Sequence, residues 1–127
     1  MLEAGIKGIR TVTVTESLTA KVMGSGELNV YATPAMIALM EETAYKSVAK
    51  ELEDGMGSVG TKMDVQHVSA SPVGMKISCE TELIEVDGRR LVFAVKAQDE
   101  KGLIGEGTHE RFIIENAKFQ AKTDSKL

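Results

Sequence analysis

The chain has 127 residues, 43% of them hydrophobic and 27% charged, the make-up of one soluble domain with one core. Its net charge of −4 comes without a basic stripe or basic–aromatic interleaving, which argues against nucleic acid as a partner. No apolar run approaches the ~20 residues needed to span a bilayer. The N-terminus lacks the basic-then-apolar pattern of a signal peptide. The single cysteine, Cys79, excludes an internal disulfide and fits a reducing cytoplasm. No Cys/His cluster has metal-ligand spacing, and no glycine pattern matches a dinucleotide or phosphate loop. The expected domain is therefore 1–127, without a cofactor or metal, ending in a polar, frayed tail at about 117–127.

In chain order, Thr11-Val-Thr-Val-Thr15 alternates strictly and predicts a strand with one covered face. A loop around Gly24-Ser-Gly26 follows, then a short extended stretch at Leu28–Tyr31. Residues 33–53 predict the one long helix, with Thr33 as N-cap and Pro34 at the first helical position. Met36, Ile37, Met40, Ala44, Val48 and Leu52 form its apolar stripe, and Asp54-Gly-Met-Gly57 ends it. Residues 58–71, 75–86, 89–98 and 103–115 predict four strands. Pro72-Val-Gly74, Asp87-Gly88 and Glu100-Lys-Gly102 turn the chain between them. Three hairpins imply four sequential antiparallel neighbours. A strand, a long helix and four strands make an α+β fold in which a curved sheet covers one helix stripe. This is the order of elements of the hotdog fold.

One helix residue breaks the pattern. Glu41 projects into the apolar stripe between Val48 and Leu52, while Glu42 faces solvent at the favourable spacing to Lys46. A carboxylate there must be paired, hydrogen-bonded or shifted in pKa, because burying a bare charge is costly. Such a group can serve as a general base or nucleophile, or it can sit structurally at an interface. Thr33 has capping as its plain reading, and substrate contact at the positive helix end as its functional one. His67 shares a strand face with Met63 and Val65; it is a core histidine or a proton donor to a developing oxyanion. Glycines such as Gly60, Gly105 and Gly107 mark bulges or close backbone approach. His109 and Arg111 lie on the same side near the end of the last strand, with Glu110 between them, and a surface ion pair is the default. Six methionines, Met23 among them, are expected to fill the core.

Several of these segments together resemble the fluoroacetyl-CoA thioesterase group of hotdog proteins. They are Thr33 with Glu41 eight positions on, Ser58-Val-Gly-Thr61, His67-Val-Ser-Ala-Ser-Pro72, Val86-Asp-Gly-Arg-Arg-Leu91, and Gly105-Glu-Gly-Thr-His-Glu-Arg111. The resemblance runs from about residue 31 to 122. It implies a homodimer, or a dimer of dimers, that hydrolyses acyl-CoA thioesters. It also implies a catalytic set of Thr33, Glu41 and His67, with Gly60 and Arg111 helping to hold the substrate. An aromatic cover over a fluorinated acyl group, known in that family, has no counterpart in residues 16–32, which contain no Phe. The acyl group thus stays open. The alternatives to hydrolysis are a non-catalytic acyl-CoA-binding module and a hotdog hydratase.

Overall fold

A computed structural model describes residues 1–127. Five strands form one antiparallel sheet: β1 Lys7–Thr13, β2 Met56–His67, β3 Lys76–Asp87, β4 Arg90–Asp99 and β5 Gly102–Glu115. A short helix α1, Ala20–Met23, precedes the long α2, Thr33–Val48, and α3, Asn116–Asp124, follows β5. This is the hotdog fold. No helix is long and apolar enough to cross a membrane.

The strand order is β1-β3-β4-β5-β2. Two of the three expected hairpins exist. In the first, Asp87 pairs with Arg90, and Gly88 takes φ +61 at the first turn position, which favours glycine. The Pro72-Val-Gly74 connection is not a hairpin, contrary to the sequence expectation. β2 pairs with β5, and the edge of β3 that β2 would have used is held by β1. Residues 68–75 instead cross from one side of the sheet to the other, pinned by a Val30–Pro72 bridge and by Tyr31 N–H donating to the Ser71 carbonyl. A turn signal marks a change of direction; it does not say which neighbour the next strand finds.

Alternation fixes the inner face. Ile77, Cys79, Thr81 and Leu83 of β3 and Leu91, Phe93, Val95 and Ala97 of β4 are all buried, and α2 lies on them. The helix meets the sheet through Met36, Met40, Ala44 and Val48, each fully buried; a large apolar side chain so placed contributes about 1.5–3 kcal/mol. Met36 lies directly on the backbone of β5. A Cβ at Gly105 would come within 2.8 Å of Met36 Cε and 2.9 Å of the Gln66 carbonyl oxygen. After Val48 the helix tightens into one 3-10 turn, Ala49–Glu51, and Gly55 at φ +81 turns the chain into β2.

Two expectations change at the periphery. Residues 116–124 are helical rather than frayed, although α3 buries no residue. Met23 is 44% exposed on α1, so it does not fill the core.

Candidate active site

The functional side chains fall into two clusters, both built where α2 faces β2. At the start of α2, Ala32 is the N-cap, with extended backbone and its carbonyl accepting from Met36 N–H. Thr33 is thus the first helical residue, and its hydroxyl makes no cap bond. Thr33 Oγ1 instead lies 2.8 Å from His67 Nδ1, across from the end of β2. The two sit in a cleft of about 250 Å³, shared with Tyr31, Ser25, Val68 and Ser69. Tyr31 meets the His67 ring edge-on at 6.5 Å, and burial pushes its hydroxyl up to about 12. His67 Nε2 is buried without a partner. Burial lowers the pKa of this ring, and the Ser69 backbone opposes that shift.

The second cluster surrounds Glu41, two helical turns further on. Its side chain is 43% exposed, so it occupies the flank of the apolar stripe rather than the core. Opposite it, β2 carries a bulge between Gly60 and Lys62. Bulges re-aim backbone next to active sites. Here the bulge brings Gly60 so close that an added Cβ would lie 2.8 Å from Glu41 Oε2. The neighbouring cation is Arg111, whose Nη1 is 3.9 Å from the same oxygen. Of its other groups, Nε donates to Ser58 Oγ and one Nη2 N–H to the Ser58 carbonyl, both at 2.8 Å. The Tyr45 ring, one turn after Glu41, covers the guanidinium at 5.5 Å. Desolvation lowers the Arg111 pKa, and Glu41 opposes that shift.

Arg111 and His109 are therefore not the surface groups in an ion pair that the sequence suggests, and the Glu110 between them pairs with Arg90 instead. Arg111 and His109 are 7% and 1% exposed, and Arg111 Nη1 donates to His109 Nε2 at 3.2 Å. Ser58, Tyr45 and His109 are parts of this cluster that the sequence reading missed. The turn alone did not reveal this: Asp99 pairs with Gly102, and an irregularity between Ala97 and Gln98 shifts the register by one, so that Phe93 faces His109 and Leu91 faces Arg111 on the inner side of the sheet.

Thr33 and His67 are thus brought together, and Glu41, Gly60 and Arg111 are brought together. Glu41 stands eight positions after Thr33, about 12 Å of helix rise. A larger hollow, about 660 Å³, lies on the outer sheet face among Lys7, Glu80, Glu82, Lys96 and Glu106. Its charges alternate across strands as an ordinary solvated face does, remote from both clusters.

Burial lowers the pKa of both His67 and His109 below the ordinary 6.5. The folded protein then binds fewer protons than the unfolded chain just below that value, so stability rises with pH there. The stabilisation is complete above 6.5 and declines as pH falls through the lowered values. A thermal melt series should show Tm falling as pH drops from 6.5 to about 5, before most carboxylates titrate. A flat or rising Tm would contradict neutral buried rings, and His109→Gln should reduce the slope.

The fold is that of the hotdog proteins, and comparisons with known proteins make the chain a thioester hydrolase. Residues 14–117 match the model of the fluoroacetyl-CoA-specific thioesterases, and the chain belongs to that family. A fluoroacetyl-CoA thioesterase from Streptantibioticus cattleyicolor is 44% identical over 97 residues, covering 76% of this chain and 70% of that protein. A solved structure of the fluoroacetyl-CoA thioesterase superposes with a TM-score of 0.94 at 36% identity, over 100% of this chain and 98% of that one. A threonine-to-serine mutant of that enzyme in complex with acetyl-CoA gives a TM-score of 0.94 at 34% identity, over 98% of each chain.

Proposed function

We propose that this chain hydrolyses a short or small acyl-CoA thioester to the free acid and coenzyme A, with Glu41 as base or nucleophile. The observation that carries the reading is the Thr33–His67 pair, 2.8 Å apart and lining one cleft. When the Thr33 hydroxyl donates to Nδ1, Nε2 holds the ring proton. It can then donate to the thioester oxygen as negative charge develops, or to the departing sulfur. Glu41 either takes a proton from the attacking water or attacks the acyl carbon itself, giving an anhydride that water then opens. The relative that was solved with acetyl-CoA supports a small acyl group.

One chain keeps Glu41 apart from Thr33 and His67, and this favours a homodimer. β2 is a sheet edge that carries both clusters, Gly60 in one and His67 in the other. Its backbone groups on that edge are free to pair with another strand. Antiparallel pairing with a second copy's β2, centred near Met63, would set the His67 end of one copy beside the Glu41 end of the other. Gly60 and Arg111 would then border the shared cleft. The setting expected for such an enzyme is the cytoplasm.

The test is thiol release from a panel of short acyl-CoAs. Release well above the rate without protein supports hydrolysis. Tight binding without release would replace the enzyme by a binding module, and hydration of a crotonyl-type thioester would point to a hydratase.

A further inference from the structure

His109 is buried, titratable and unused by the proposed reaction, yet its two hydrogen bonds make opposite demands on the ring. Its Nδ1 lies 2.8 Å from the Lys62 carbonyl oxygen. A carbonyl only accepts, so Nδ1 must carry the hydrogen. In the neutral ring Nε2 then keeps its lone pair, and it accepts from Arg111 Nη1 at 3.2 Å. Phe93 stacks on the imidazole at 6.2 Å and 29°, which fixes the plane of the ring. Ser58 and Tyr45 hold the other side of the guanidinium, and what is left of Nη1 faces Glu41.

We propose that His109 is a positioning residue: a neutral imidazole, locked in one tautomer, that holds the Arg111 guanidinium in the orientation which sets the Glu41 carboxylate. The proposal rests on Glu41 being the working carboxylate. Protonation would aim a second N–H at the Arg111 N–H and place two cations side by side. The charged groups acting on the ring are Arg111 and Glu110 of β5 and Glu41 of α2; β4 presents the apolar Phe93 and β2 the Lys62 carbonyl. Burial reinforces the neutral form.

A double-mutant cycle with Glu41 tests the coupling. His109→Leu should lower kcat by roughly 10- to 100-fold, the scale of a misplaced reacting group. KM for the acyl-CoA should stay within about threefold, since the lost interaction is not substrate binding. His109→Gln, whose side-chain oxygen can accept from Arg111, should recover most of that loss. Added to Glu41→Gln, the His109→Leu change should cost little more. Two losses that multiply would overturn the proposal, because His109 would then act independently of Glu41. Unchanged turnover in Glu41→Gln alone would remove the Glu41 reading, and this proposal with it. A second readout on the unaltered protein needs no activity: imidazole nitrogen NMR should report a neutral Nδ1–H ring at neutral pH, with any titration below the ordinary 6.5. An Nε2–H tautomer, or titration near 6.5, would overturn the lock itself.

Discussion

Glu41→Gln should lower thioester hydrolysis by at least ~10²-fold while leaving the fold intact, the size expected for loss of a general base. Glutamine keeps the length and shape of the side chain, so the contact with Gly60 survives. It loses the negative charge and the basicity that either mechanism requires. The effect on stability should be small for a separate reason. Glu41 is 43% exposed and its pair with Arg111 is long, at 3.9 Å. Such pairs contribute about 0–1 kcal/mol. Arg111 keeps its bonds to Ser58 and His109 in the variant, so no buried cation is left without partners. Turnover and a melt, measured on the same preparation, separate the two effects. Normal turnover in a folded Glu41→Gln protein would remove Glu41 from the chemistry.

The largest structural effect is expected at Gly107. A Cβ there would overlap the Asp64 carbonyl oxygen and come within 2.7 Å of Val65 Cα and 2.9 Å of Val65 Cγ1. The first two are backbone atoms of the paired strand, so β2 itself would have to move. Gly107→Ala should destabilise the protein by about 2–3 kcal/mol, the cost of overpacking a close contact. For a chain of this size that is a fall of roughly 10 °C in Tm. Gly60→Ala makes a useful contrast. Its new methyl meets chiefly the end of the Glu41 side chain, with Arg111 Nη1 and His109 Cε1 at 3.3 Å. A flexible carboxylate can swing aside, so the loss should appear in turnover rather than in melting. A Gly107→Ala protein with an unaltered melt would show that the β2–β5 pair can spread at little cost.

The sequence by itself determined the long helix, the four later strands and the buried faces of β3 and β4, but not α1, α3 or the start of β1 at Lys7. Period-two alternation at 75–86 and 89–98 marked the inner residues of β3 and β4, since a strand's side chains point to opposite faces in turn. The stripe on residues 33–52 marked the one helix, and the misplaced carboxylate within it singled out Glu41. Residue types at matching spacing were enough to suggest the family. Partners across the sheet were not legible in the same way. Pairing is a choice between edges, made by the whole chain at once, and so β2 went to β5 rather than to β3. Only that choice carried β2 alongside His109 and Arg111 and turned an expected surface pair into a buried one. The tertiary structure also decided what Thr33 does. Capping is local, and its sequence signal is the same whether the hydroxyl turns back to its own helix or outward. Ala32 supplies the N-cap position, leaving the Thr33 hydroxyl for His67, a residue 34 positions away that only the fold brings within 2.8 Å.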